Sequence, residues 1–298
     1  MTPVANPSAR AVQPGTAKPR ERRPGTGRRW RTVLLNGALL AAAALVVFPL
    51  LWMVAVSVMP AGAASTYPPP IWPAKPTLAH YRQLATSGGL AQAFVNSLGI
   101  ATGTTLLSVA LNTMAGYAFA KLRPPGSERT FELLVAALVI PGQVAMLPLF
   151  LMLKAMGLVN TWAGVLVPGL ASIFGIFLVR QYARTVPDDL IEAARMDGAG
   201  EWRIFVTVVL PLLRPVIATL AMFSFLGSWN DFMWPLIVLT DGELHTLPVA
   251  LASMSREHVQ DSELMMAGAV ITVLPVLLLF LALQRHYLHG LTLGSVKQ

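Results

Sequence analysis

Residues 33–56 read VLLNGALLAAAALVVFPLLWMVAV, a run without a single Asp, Glu, Lys or Arg. At 1.5 Å per residue, a helix of this length exceeds the roughly 30 Å of hydrocarbon in a bilayer. The charge-free run extends from Thr32 to Ala74. Others occupy Gln83 to Ala120, Leu133 to Leu153, Ala155 to Val179 and Leu264 to Gln284. A sixth, Pro215 to Thr240, is interrupted only by Asp231. These runs predict six spanning helices near 33–56, 93–120, 131–153, 158–180, 212–238 and 264–284, an all-α polytopic membrane protein.

The composition excludes the alternatives. Only 12% of the 298 residues are charged, about half the usual share of a soluble domain, so a large globule would lack polar faces to wrap so many apolar helices. Barrel strands are about ten alternating residues, and these runs are roughly twice that and do not alternate. The first run is too long for the 7–15-residue apolar core of a signal peptide, so it is read as a retained helix. With no cysteine in the chain, disulfides, thiolate metal sites and cysteine nucleophiles are excluded.

Charge also sets an expected orientation. With the N-terminus inside, the segments 1–31, 121–130, 180–214 and 285–298 carry eighteen Lys and Arg, whereas Lys75, Arg82, Lys154 and Arg256 fall outside. Positive residues accumulate on the cytoplasmic side, so both termini are expected to be cytoplasmic. Residues 1–31, rich in Pro, Gly, Ala and Arg, read as a disordered basic tail. Its arginines suit anionic headgroups of membrane lipid better than nucleic acid. The six-helix domain then covers 32–298. Between its first two spans, residues 78–89 predict a short surface helix.

The connection between the fourth and fifth spans is longer and patterned. It contains Asp188-Asp189-Leu190-Ile191-Glu192-Ala193-Ala194-Arg195-Met196-Asp197-Gly198-Ala199-Gly200-Glu201 and runs on to Pro211. Asp189 with Glu192 three residues later predicts a capped helix start, and Gly198 a stop or sharp turn. A second helical piece is expected from about Gly200–Glu201 into Pro211. Ala193, Ala194 and Ala199 offer a small face for close docking. The physical reading is either a rigid knob that passes force from a partner or an amphipathic helix resting on the bilayer.

Glu192-Ala193-Ala194, Gly198 and, after nine residues, Val208-x-Leu210-Pro211 resemble the EAA loop of binding-protein-dependent ABC importer permeases. Val208 stands where Ile is usual. Asn96-Ser97, Ala115-Gly116-Tyr117-Ala118-Phe119-Ala120, Pro141-Gly142-Gln143, Trp229-Asn230-Asp231-Phe232 and Trp234-Pro235-Leu236 extend the likeness. So does the tail from Gln284-Arg285 through Gly290-Leu291-Thr292-x-Gly294-x-Val296-Lys297, where His286 replaces the more usual Tyr. Over roughly 33–298 the chain is similar to the carbohydrate branch, and especially to the smaller membrane subunit of maltose/maltodextrin transporters.

That resemblance implies the type I (MetI-like) permease fold in the cell membrane. It also implies a second homologous permease subunit, two cytoplasmic ATPase subunits or domains and an extracytoplasmic sugar-binding protein. Glu192, Ala193, Ala194, Asp197 and Gly198 would be ATPase-coupling residues in the loop 188–211. The expected role is half of a sugar translocation pathway. In the maltose-type system the companion permease makes most of the sugar contacts. A permease for a glycerol phosphate-type solute is the alternative within transport, and a membrane scaffold the alternative outside it.

The chain has no G-x-x-x-x-G-K-[ST] phosphate loop, so no enzymatic activity or bound cofactor is expected, and ATP and Mg belong to the partner ATPase. No H-E-x-x-H occurs, and the five histidines do not suggest a metal site. An ion-gradient transporter commonly places ionisable groups within its spans, and Asp231 is the one clear case here. Asn96, Ser97, Asn112, Ser228, Trp229, Asn230 and Asp231 are the translocation-pathway candidates. Polar groups in spans turn toward other helices or a wet path, and both readings stay open for them. Prolines 141, 148, 168, 211, 235 and 275 predict kinks. The acidic outer loop 241–263, with Asp241, Glu243, Glu257, Asp261 and Glu263, is either a solvated loop or part of the docking face for the binding protein.

Overall fold

The computed structural model describes residues 26–86, 89–257 and 261–293, without the side chains of 26–29, 255–257 and 283–293. The tail read from residues 1–25 and the motif beyond 293 lie outside them. The contacts divide the chain into two units, 1–50 and 51–298. The first helix, α1 (Thr26–Ser57), begins inside the stretch read as tail. A short α2 (Ala79–Thr86) follows, in the connection expected to hold one.

The central element is α3 (Leu90–Tyr117), prolonged by one wide turn over Ala118–Leu122. After it come α4 (Ser127–Ala137), α5 (Met146–Ala155), α6 (Trp162–Leu166) and α7 (Ile173–Ala183). Next are α8 (Asp188–Met196), α9 (Glu201–Ile204), α10 (Leu210–Leu212), α11 (Arg214–Trp229) and α12 (Met233–Val238). The chain then forms α13 (Leu247–Glu257) and α14 (Ser262–Leu293). No strand occurs among the described residues.

Trp30–Ser57, Leu90–Leu122 and Ser262–Ala282 are each long and apolar enough to cross a membrane. Three further spans are broken. Ser127–Ala137 and Gly142–Ala155 meet at 97°, Trp162–Gly169 and Ile173–Ala183 at 40°, and Glu201–Leu212 and Arg214–Trp229 at 80°. Counting each pair once gives six. The span expected over 212–238 is met by the pair Glu201–Leu212 and Arg214–Trp229, which begins earlier and ends at Trp229, with α12 (Met233–Val238) separate from it.

The prolines divide by helix position. Pro141, Pro168 and Pro211 lie at or beside the three bends. Pro148 sits in the first turn of α5, where a backbone N–H has no helical partner in any case. Pro275 lies inside the unbroken α14, and a spanning helix tolerates this because neighbouring groups satisfy the freed carbonyl.

Lipid tails are as apolar as leucine, so spanning helices gain little from hydrophobic burial against one another and depend on close packing and hydrogen bonds. The crossing of α3 and α7 shows this. A methyl group at Gly116 would lie 2.6 Å from Val179 Cβ and 3.0 Å from the Arg180 backbone nitrogen. Only glycine permits that approach. At the α8 end, Tyr117, Val179, Ala183, Ile191, Ile204 and Val209 join one buried cluster. At the opposite end, Leu84, Leu90, Phe225, Trp229, Leu247 and Leu264 form another.

Candidate functional site

Two features combine exposure with fixed geometry: the elbow around α8 and a cleft between α3, α5, α7 and α11. The elbow is fastened at both ends. Ile191 is buried against the inner cluster, while Glu192, Ala193, Asp197 and Gly198 face outward. Ala194 and Ala199 pack partly inward on that cluster, so of the three alanines read as a docking face only Ala193 is exposed. Glu192 takes no hydrogen bond among the described residues, and Leu190, Met196 and Trp202 are exposed on the same segment.

The helix starts one residue before the expected cap. Asp188 lies in its first turn and faces the Lys121 ammonium, which also donates to the Val186 carbonyl at 2.6 Å. The hydrogen bond from Lys121, reinforced by its charge, holds the Asp188 carboxyl below its ordinary value. At the other end Gly198 adopts φ +78°. Its N–H donates to the Arg195 carbonyl at 2.9 Å, and the Ala199 N–H to the Ala194 carbonyl at 3.0 Å. This is the paired hydrogen-bond pattern of a Schellman helix stop, with Ala194 and Ala199 as its apolar contact. Arg195 Nε lies 2.7 Å from Glu201 Oε1 across the bend, and Tyr117 donates to the other carboxylate oxygen at 3.4 Å.

Arg180 closes the same end of the bundle. Its side chain is 6% exposed, 2.6 Å from Glu128 Oε2 and 3.8 Å above the Phe131 ring. Pairing with a carboxylate and a ring face offsets the desolvation of a buried guanidinium. Lys121 and Arg180 therefore tie α8 and α7 to the segments beside them.

The cleft has a volume of about 480 Å³, inside the roughly 300–1,000 Å³ range of small-molecule sites. Thr104 and Ser108 line it from α3, one helical turn apart. Ser224 and Ser228 line it from one face of α11, four residues apart, and Asp231 lines it from the break just beyond that helix. Trp234 also lines it, its ring fixed by a 3.1 Å bond from Nε1 to the Gly164 carbonyl. The Thr104 hydroxyl is buried with no hydrogen-bond partner among the described residues. Asp231 Oδ1 accepts the Trp234 N–H at 3.3 Å across the break between α11 and α12.

The pathway candidates separate into two groups. Ser228 and Asp231 line the cleft. Asn96 and Ser97 instead hold the loop before α13: Asn96 Nδ2 donates to the carbonyls of Glu243 and His245, and Ser97 Oγ accepts the Leu247 N–H at 2.7 Å. Asn112 Oδ1 accepts the Ser172 N–H at 3.0 Å and its Nδ2 donates to Ser108 Oγ. It thus satisfies backbone freed where the fourth span breaks. Trp229 is fully buried, donating to the Thr272 carbonyl and stacked on Phe225. Asn230 is exposed at the end of α11 and donates to the Leu226 carbonyl.

The pathway residues expected from the sequence do not include Thr104, Ser108, Ser224 and Trp234, although Ser224 and Ser228, four apart on one helix face, are a usable signal. The acidic outer loop also divides. Glu263 is fully buried, its Oε1 accepting the Ala64 N–H at 2.8 Å, so it is no part of an exposed docking face. Asp241 and Asp261 accept backbone N–H groups of the following turns. The Glu257 side chain lies outside those described.

Residues 112–292 match the family model described as "Binding-protein-dependent transport system inner membrane component". The chain is 38% identical over 226 residues to the arabinooligosaccharides transport system permease protein AraQ of Halalkalibacterium halodurans, covering 76% of this chain and 81% of that one. With the galactooligosaccharides transport system permease protein GanQ of Bacillus subtilis it shares 34% identity over 278 residues, 91% of this chain and 97% of the relative. Among solved structures, a chain of a bacterial ABC transporter that imports the acidic polysaccharide alginate superposes with a TM-score of 0.79 at 20% identity. That superposition covers 89% of this chain and 99% of the other, and it shows a shared fold.

Proposed function

The chain belongs to the binding-protein-dependent transport system inner membrane components, and from that premise we propose that it is the sugar-conducting permease subunit of an ATP-driven importer. It forms half of a translocation pathway, and a second homologous permease forms the other half. Both termini are cytoplasmic, which places the α8 elbow on the cytoplasmic side. An extracytoplasmic sugar-binding protein delivers the solute at the opposite end. The relatives named as oligosaccharide permeases over most of their length support the solute class.

Of the two ATPase subunits or domains, one engages this chain's elbow, with Glu192, Ala193, Asp197 and Gly198 at the contact and Ala194 seating the helix. The observation that carries this reading is the form of α8. One side is bolted to α3, α7 and α9 through Ile191, Lys121 and Glu201, and the other presents the exposed Glu192 carboxylate, which takes no hydrogen bond among the described residues. An element built this way transmits displacement with little loss. ATP and Mg chemistry belongs to the partner, and this chain is not an enzyme.

The glycerol phosphate alternative draws no support from the cleft, whose lining includes no Lys or Arg. The test is uptake of labelled saccharides by the reconstituted complex with its binding protein. Glu192→Lys is expected to abolish ATP-dependent uptake while the chain still inserts. Normal uptake by that variant would overturn the coupling role. Failure of any ATPase to copurify with the unaltered chain would favour a scaffold.

A further inference from the structure

The lining of the cleft has a chemistry of its own, whose meaning rests on the sugar-import reading. Its polar part is uncharged apart from one group. Ser224 and Ser228 supply hydroxyls and Asp231 the single carboxylate, with no cation among the lining residues, while Thr104 and Ser108 are buried. The Ser224, Ser228 and Asp231 side chains are half-buried where they line the cleft, which leaves polar groups within reach of a hydroxyl-bearing ligand. The Trp234 indole, 6% exposed, is pinned through its own N–H, so it adds a small, rigid apolar edge to the lining. Hydroxyl groups beside a fixed aromatic edge suit a saccharide, whose rim is polar and whose ring faces carry C–H bonds.

The carboxylate then sets the charge of what enters. A fixed negative group in a site walled by apolar side chains acts on a charged solute through less screening than bulk water provides. We propose that the cleft of this chain is itself a saccharide subsite, and that Asp231 makes it a charge filter that admits neutral and amino sugars and rejects uronates and sugar phosphates. Asp231 is a specificity residue in this scheme. It stands at the break between α11 and α12, where its Oδ1 is held by the Trp234 N–H, so the filter and the aromatic edge share one support.

The chain has no cysteine, which allows a direct test in the assembled complex. A single Ser228→Cys is labelled with a cationic and with an anionic methanethiosulfonate reagent, and modification of this chain is read by mass spectrometry. Rates are normalised to a free thiol. Ser228 and Asp231 line the same cleft and are joined by a turn in which the Asp231 N–H donates to the Ser228 carbonyl at 3.4 Å, so the carboxylate should favour the cationic reagent about ten-fold. Adding Asp231→Asn should bring the ratio to within about two-fold of unity by removing the charge. A neutral oligosaccharide should slow labelling, whereas a uronate of equal size should do so only in the Asp231→Asn background. Ser224→Cys repeats the measurement should Ser228→Cys prevent assembly.

A normalised ratio near unity in the Asp231 protein, or one unchanged by Asp231→Asn, overturns the filter even if saccharide uptake is intact. Equal protection by the neutral sugar and the uronate overturns it too. Absence of uptake for every saccharide, with the charge ratio present, removes the sugar reading and with it the subsite.

Discussion

Lys121 and Asp188 join the last turn of the long helix α3 to the first turn of α8. The lysine side chain is 3% exposed, and its ammonium reaches both the aspartate carboxylate and the Val186 carbonyl. A buried ammonium is tolerated only when paired and hydrogen-bonded. The ion pair therefore fixes where the elbow begins relative to a spanning helix.

The pair predicts a pH dependence with a definite sign. The Asp188 carboxyl is held below its ordinary value, so its contribution is present above that value and disappears as pH falls through the lowered one. Amide exchange across residues 186–190 should be protected at neutral pH and lose protection on acidification. Asp188→Asn should show the weakened protection already at neutral pH. Equal protection in both proteins would count against the clamp.

Gly198 gives a second prediction. Its φ of +78° disfavours any L side chain, yet nothing lies within 4 Å of where a Cβ would stand. Gly198→Ala should therefore cost about 1–2 kcal/mol through backbone conformation alone. Gly198→Asn should cost less, because asparagine tolerates the left-handed region. ATP-dependent uptake should rank Gly, Asn, Ala, with membrane insertion unchanged across the three.

Asn112 should be costly to remove. Asn112→Ala deprives the Ser172 N–H and Leu170 carbonyl of their side-chain partner at the break before α7. The expected loss is about 1–3 kcal/mol, seen as a lower thermal midpoint of the detergent-solubilised complex. An unaltered midpoint would mean that water enters and replaces the amide.

The α3–α7 crossing should be intolerant of volume. Gly116→Ala places a methyl group against Val179 and the Arg180 backbone, an overpacking expected to cost about 1–3 kcal/mol. Val179→Ala in the same chain should restore part of the loss. The Arg180 nitrogen at 3.0 Å is backbone and cannot retreat. Thermal midpoints of the two single variants and the double variant measure that coupling.

Much of the candidate site was legible because it depends on local pattern. Gly198 after Glu192-Ala193-Ala194 predicts a helix and its stop, and both are present at Asp188–Met196 and the +78° turn. The direction of each side chain was less accessible. Ala193 and Ala194 are indistinguishable as residue types, yet one is exposed and the other packs inward, because the seating of Ile191 sets the rotation of the helix. Asn96, Ser97, Asn112 and Trp229 share the polarity of Ser228 and Asp231. The first four spend it on partners far along the chain, which no local reading can assign.

Charge-free runs of the length of a bilayer follow from the solvation of backbone and side chains in hydrocarbon, a property of each segment by itself. The six spans, the helical class and the elbow motif are therefore written in the sequence. The 97°, 40° and 80° bends are different. A broken helix survives in a membrane only where another segment accepts the freed backbone groups, as Asn112 does for Ser172. Which breaks persist, and the cleft they open beside Asp231, was decided by the assembled tertiary structure.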